Sequence, residues 1–200
     1  MWIELACRGV APSWEAYRLI LFAMEVWDQL SMLPPVANPP AARYAVLVPL
    51  YEDSEGTVRI VFTRRPEHMR THPGDVVFPG GGKEGGEGPI DTAKREAWEE
   101  IRLPPDAVGP VLGGLTPVTT RNLQNLIIPV VARIERPDHF VPDPAEVESI
   151  IEPPVDHLLD EERWTTEQWY GHELWFYQFE EGTLWGATAF IVRELLEYLR

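Results

Sequence analysis

The stretch that decides the reading of this chain is Gly81-Gly82-Lys83-Glu84-Gly85-Gly86-Glu87-Gly88-Pro89-Ile90-Asp91-Thr92-Ala93-Lys94-Arg95-Glu96-Ala97-Trp98-Glu99-Glu100-Ile101-Arg102-Leu103. It begins in a glycine-dense segment, with Gly74, Gly80, Gly81, Gly82, Gly85, Gly86 and Gly88 inside fifteen residues. Such a loop takes unusual dihedrals or approaches a ligand closely. Pro89 suits the first turn of a helix. The spacing predicts that this helix runs to about Ile101, where Pro104-Pro105 stop it. Each helical residue advances roughly 100°. With Glu96 at zero, Glu100 lies at about 40° and Glu99 at about −60°, so three carboxylates share one face. Ile90, Ala97 and Ile101 fall on the opposite side, the face that packs on a sheet.

Three like charges on one helix face repel one another, and a hard divalent cation compensates them. Taken alone, the triplet fits a solvated acidic surface better than a metal site. The glycine loop placed directly before it shifts that balance, because it brings backbone carbonyls to a metal and amides to a phosphate. A Walker-type phosphate loop is excluded, since no Gly-Lys-Ser/Thr follows the glycines.

Outward from this stretch, the chain reads as an α/β layered sandwich on a mixed sheet. From Ser13, a candidate N-cap, to Leu30, apolar residues recur at helical spacing at Trp14, Tyr17, Ile20, Leu21, Met24 and Trp27. That stripe serves either as a packing element or as a homodimer contact. Met32 to Pro40 holds four prolines and reads as an extended linker, so residues 1–40 form a helix and linker ahead of a domain spanning 41–200. Tyr44 to Tyr51 and Thr57 to Thr63 suggest a hairpin around Glu52-Asp53-Ser54-Glu55-Gly56. Val111 to Val118, Leu126 to Ile134 and Val147 to Ile151 read as further strands. Leu174 to Phe179 and Thr183 to Trp185 form a late hairpin, and a final helix covers Ala187 to Leu199.

The 200 residues carry a net charge of −15, with 32 acidic against 17 basic residues, and 44% are apolar. A nucleic-acid or anionic-membrane partner demands clustered Lys and Arg, which argues against both. Cys7 is the single cysteine, so no intrachain disulfide forms. No run approaches the apolar length of a membrane helix, and Glu4 stands where a signal peptide would be basic. The expectation is a cytoplasmic protein.

Gly81, five residues, Glu87, seven residues and then Arg95-Glu96-Ala97-Trp98-Glu99-Glu100-Ile101-Arg102-Leu103 resembles the signature of the Nudix hydrolases, with every charged position at its proper spacing. One position departs, since Arg102 stands where the family has Gly. A Gly there suits a left-handed helix cap, and a non-Gly residue in that conformation costs about 1 kcal/mol. The upstream run from Thr63 to Gly81 is similar to the motif of the coenzyme A pyrophosphatase branch. Pro66 and Met69 replace a usual Ser and Leu, while Arg70, His72, Gly74 and Phe78-Pro79-Gly80-Gly81 are retained. Leu115 to Val131, Asp143 to Leu159 and Leu184 to Ala189 also look like this branch.

The resemblance implies a Nudix fold and hydrolysis of the pyrophosphate bond of a small nucleotide. Its branch implies coenzyme A or an acyl-CoA, cleaved to 3′,5′-ADP and 4′-phosphopantetheine. Glu96, Glu99 and Glu100 would hold Mg²⁺ or Mn²⁺, helped by the Gly81 carbonyl. Glu99 or Glu146 would take the proton of the attacking water. Arg95, counted with this set, would shape the loop with Glu87. Arg64, Arg65, Arg70 and His72 would meet the substrate, guanidinium being the natural partner of phosphate. Two alternatives stay open at this point: a Nudix hydrolase of other diphosphates such as ADP-ribose or NADH, and a Nudix module that senses a nucleotide without cutting it.

Overall fold

The computed structural model describes residues 14–119 and 126–200. Cys7 and the candidate cap Ser13 lie outside the described residues. Helix α1 (Trp14–Leu30) buries Ala23, Val26 and Leu30 in the main core. Of the stripe expected from the sequence, by contrast, Trp14, Leu21 and Met24 are exposed and Ile20 and Trp27 only partly buried, so the packed face is turned away from the one the large side chains suggest. The chain then crosses strand β6 (Val108–Gly114) as the expected extended linker. Gly114 N–H donates to the Pro34 carbonyl at 2.8 Å. A Cβ on Gly113 would lie 2.5 Å from Leu33 Cβ and from the Pro34 carbonyl oxygen, so only glycine admits the linker there.

Strands β1 (Ala42–Glu52) and β2 (Val58–Ile60) form the expected hairpin, with Leu50 opposite Ile60. Asp53 closes its turn, its Oδ1 accepting from the amides of Glu55 and Thr57 at 3.0 Å each. The sequence suggests one strand through Thr63, but Val61 N–H donates instead to the Pro49 carbonyl at 3.0 Å. That break hands the chain over to strand β3 (Phe62–Arg64) in a second sheet. The expected mixed α/β layering is therefore present, divided between two sheets.

The first sheet runs β2-β1-β8-β6, with β8 (Leu126–Ile134) parallel to β1. Strand β5 (Gly80–Gly82) pairs with the start of β1, and β7 (Val118–Thr119) with β8. Both faces of β1 and β8 are buried, which is why these strands read as near-continuous apolar runs. One face (Ala45, Leu47, Ile128, Val130) receives Ala93, Ala97 and Ile101 of helix α2 (Pro89–Ile101). The other (Val48, Leu50, Val131) meets the second sheet, α1 and the C-terminal helix α4 (Gly186–Glu197).

The second sheet has the order β10-β11-β12-β4-β3-β9, where β4 is Asp75–Val77 and β9 Ser149–Ile151. The late hairpin appears as β11 (His172–Gln178) and β12 (Thr183–Trp185). Strand β10 (Trp164–Trp169), which the sequence did not betray, adds beyond it. A short helix α3 (Val155–Leu159) and a 3₁₀ turn (Glu161–Arg163) lead into β10. Among the described residues no helix is long and apolar enough to cross a membrane.

Candidate active site

Helix α2 starts where Pro89 follows Gly88 and the Asp91 carboxylate accepts from Gly88 N–H at 3.3 Å. It ends on Arg102, which adopts the left-handed conformation (φ 54, ψ 33) anticipated for that position. Arg102 N–H donates to the Trp98 carbonyl at 3.1 Å and Leu103 N–H to that of Ala97 at 3.3 Å. Those bonds satisfy carbonyls that a helix end leaves open.

The three carboxylates of the acidic face meet different surroundings. Glu100 is buried, at 6% exposure, and its Oε2 accepts from Gly80 N–H at 3.3 Å. Burial pushes its carboxyl up to about 8, reinforced by the charges of Glu146 and Glu96, with Gly80 N–H and Arg65 opposing. Glu96 is partly buried and also raised, first by burial, with Arg95 lowering it and Glu99 and Glu146 raising it further. Glu99 is exposed and accepts from Arg95 Nη1 at 2.8 Å.

The glycine strand lies against this face. A Cβ on Gly80 would sit 2.4 Å from the Ala45 carbonyl oxygen, and one on Gly81 would sit 2.5 Å from the Glu96 carboxyl carbon. Any side chain at Gly81 would thus fill the space in front of Glu96. Within β5 the β1 backbone thus presses on Gly80 and a carboxylate on Gly81, while a Cβ on Gly82 would meet only the Tyr44 ring at 3.9 Å.

Arg95 organises the loop, as its place in the signature implies. Its Nε donates to Glu87 Oε1 at 3.0 Å and its Nη2 to the Gly82 carbonyl at 2.7 Å. Its Nη1 also pairs with Glu96 Oε1 at 3.0 Å, so one guanidinium spans Glu87, Glu96 and Glu99. Glu87 is held below the ordinary carboxylate range chiefly by Arg95. It further accepts from Glu84 N–H and the Thr92 hydroxyl, both at 3.2 Å.

Glu146 reaches the site through a turn hung on the end of α2. Asp143 N–H donates to the Glu100 carbonyl at 2.8 Å, and Glu146 N–H to the Asp143 carbonyl at 3.0 Å. The exposed Glu146 carboxylate thereby acts on both Glu96 and Glu100.

The four candidate substrate residues separate. Arg65 is partly buried, its charge acts on Glu100, and its Nε has no hydrogen-bond partner among the described residues. Arg64 turns the other way and pairs with Glu67 and Glu148. Arg70 and His72 are exposed on the loop between β3 and β4, where His72 Nδ1 lies 2.9 Å from Asp75 Oδ2. Two participants escaped the sequence reading: the Gly80 amide, hidden within the Gly run, and the Glu67–Arg64–Glu148 clamp, for which no local signal exists.

The donor set suits a hard divalent cation. Glu87, Glu96, Glu99, Glu100 and Glu146 are only partly offset by the guanidinium groups of Arg95 and Arg65, and the two most buried of the five have raised proton affinities. Among the described residues, no three acidic or imidazole side chains are already drawn to metal-ligand spacing. Arg95 instead lies between Glu96 and Glu99.

The model of the NUDIX domain matches residues 41–175. Nudix hydrolase 15, mitochondrial, of Arabidopsis thaliana is 34% identical over 161 residues, 75% of this chain and 56% of that protein. The chain spans just over half the length of the Arabidopsis relatives it matches. The uncharacterized Nudix hydrolase NudL of Enterobacter sp. (strain 638) is 34% identical over 76% of this chain and 79% of its own length. Among solved structures, RenU, a Nudix hydrolase from M. smegmatis, aligns with a TM-score of 0.48 at 20% identity, covering 62% of this chain and 81% of that one. The domain match over most of the chain and the Enterobacter relative, together with the acidic helix behind its glycine strand, show that this chain belongs to the Nudix hydrolase family.

Proposed function

We propose that this chain hydrolyses the pyrophosphate bond of a nucleoside diphosphate derivative, with coenzyme A or an acyl-CoA as substrate. The observation that carries the reading is the buried, poorly compensated Glu100 beside Glu96 and Glu146, fronted by Gly80 and Gly81, where a Cβ would meet the β1 backbone and the Glu96 carboxylate. Nudix hydrolases generally require a divalent metal such as Mg²⁺ or Mn²⁺, and here Glu96 and Glu100 would hold it, joined by Glu99 and the Gly81 carbonyl. When bound, that ion polarises a phosphoryl oxygen and acidifies the attacking water.

The chain's own groups do the rest. Gly80 N–H orients the Glu100 carboxylate, and Arg95 holds the loop through Glu87 and the Gly82 carbonyl. Glu146 and Glu99, the two exposed carboxylates of the set, are the groups that would accept the water proton, since Glu96 and Glu100 are given over to the metal. Arg65, with Arg70 from the adjoining loop, neutralises phosphate charge. The Arg64 to His72 stretch supports coenzyme A as the substrate through its likeness to that branch.

One observation favours a second reading, in which ADP-ribose or NADH is cut instead. Arg64 is committed to Glu67 and Glu148, leaving one guanidinium fewer for the additional phosphate that coenzyme A carries. A single panel separates the two: coenzyme A, acetyl-CoA, ADP-ribose, NADH and diadenosine polyphosphates, each with Mg²⁺ and with Mn²⁺. Preference for the coenzyme A compounds supports the first reading, and preference for ADP-ribose replaces it with the second. Tight nucleotide binding without metal-stimulated hydrolysis would refute both.

A further inference from the structure

Strand register places a row of side chains on one face of the second sheet. Thr63 lies opposite Val77, Asp75 beside Thr183, and Trp185 opposite Phe176. Arg65 N–H donates to the Asp75 carbonyl at 3.0 Å, which continues the row to Arg65 at the end of β3. The alternate residues Val76, Leu184 and Tyr177 are buried in the main core. Trp185, Phe176 and Leu174 on the row remain only half-buried. A row of partly buried side chains, polar at Asp75 and Thr183 and apolar at Val77, Trp185, Phe176 and Leu174, thus extends within one sheet face from Arg65 beside Glu100 out to β11.

The two rings at its centre are ordered. The Trp185 and Phe176 planes are 7° apart, with centroids 6.0 Å from each other. His72 stands 6.2 Å from Trp185 and tilted by 51°, held in a left-handed conformation (φ 55) with its Nδ1 on Asp75. Strained non-glycine residues persist where their surroundings hold them, often at ligand clamps. From β12 to β3 the row crosses two strand spacings, about 10 Å. A flat heterocycle joined through a sugar to phosphates at Arg65 can span such a distance.

We infer that Trp185 and Phe176 form the platform on which the nucleobase of the substrate stacks, with His72 at its border and the phosphates directed toward Arg65. The inference rests on the pyrophosphatase reading and specifies which end of the substrate this face takes. An aromatic shelf accepts a nucleobase because both offer flat π-faces. The side chains lining it between Trp185 and Arg65 are Asp75, Val77 and Thr183, none of them bulky.

The test is calorimetric titration, with Mg²⁺ present, of the wild type, Trp185→Ala, Trp185→Phe and Phe176→Leu, each with ADP and with inorganic pyrophosphate. The platform predicts that Trp185→Ala weakens ADP by about tenfold or more. Pyrophosphate should bind unchanged, and Trp185→Phe should recover most of the loss. Equal weakening of both ligands, or ADP affinity within about twofold of wild type, overturns it. Should Trp185→Ala fail to fold, Phe176→Leu decides on the same terms. A wild type that neither binds pyrophosphate nor cuts any substrate of the panel brings down the underlying reading. One that does both, while Trp185→Ala keeps its ADP affinity, brings down the platform alone.

Discussion

Replacing Glu100 by glutamine should make the metal-free protein more stable at neutral and alkaline pH. The folded chain holds the Glu100 proton more tightly than the unfolded chain does, because burial lifts the carboxyl from 4.5 to about 8. Glu100 therefore costs nothing below the unfolded value, and its penalty grows as the pH rises from 4.5 toward 8. At about 1.36 kcal/mol per pH unit, the ceiling on that penalty is about 5 kcal/mol. A protein interior behaves as a more polarisable medium than a dry one, so ~1–3 kcal/mol is the figure to expect. Glutamine keeps an oxygen for the Gly80 N–H and removes the charge. The assay is urea unfolding in EDTA of wild type and Glu100→Gln at about pH 5 and about pH 8.5. The two should nearly coincide at the lower pH and separate at the higher, with the variant more stable. Added Mg²⁺ should then raise the Tm of the wild type and leave that of the variant unmoved. A variant no more stable at the higher pH, or a gap that ignores pH, would refute the account of Glu100 as a buried charge awaiting a cation.

Three other substitutions probe the same helix. Arg95→Ala removes the guanidinium shared by Glu87, Glu96 and Glu99, and thermal unfolding should show a loss of ~2–4 kcal/mol, with turnover falling at the same time. Gly81→Ala should reduce turnover by about a hundredfold while circular dichroism stays native, because the methyl group intrudes on the Glu96 carboxylate rather than on the core. Arg102→Gly should raise stability by ~0.5–1 kcal/mol in chemical denaturation, relieving the left-handed residue at the helix end; a loss instead would mean that the Arg102 contact with the Trp98 ring, 5.4 Å away, outweighs the strain.

What the sequence revealed and what it concealed divide along physical lines. The carboxylate face of α2 was legible because helical spacing alone fixes which residues share a side. The left-handed end at Arg102 was legible because the family's glycine at that place has a conformational reason. The separate fates of Arg64 and Arg65 were not legible, since neighbours on a strand point oppositely and the pairing of β3 with β4 and β9 decides which one meets the acids. The break at Val61 left no mark either, because Val58 to Thr63 is apolar and β-branched almost throughout, and only the bond to Pro49 divides it. Strand β10 escaped because Thr165 to Trp169 are exposed, so it lacks the apolar alternation that betrays a half-buried strand.

The linker crossing at Gly113 and Gly114 has a consequence for the border of the first sheet. Strand β6 ends its sheet, and an uncovered terminal strand offers its amides and carbonyls to any other chain that meets it. Here the segment around Leu33 and Pro34 takes the Gly114 amide and lies over the paired glycines, so part of that border is already engaged by the molecule itself. The proline-rich stretch ahead of the Nudix domain thus occupies part of that border, and its prolines, lacking N–H groups, cannot extend the sheet another strand outward.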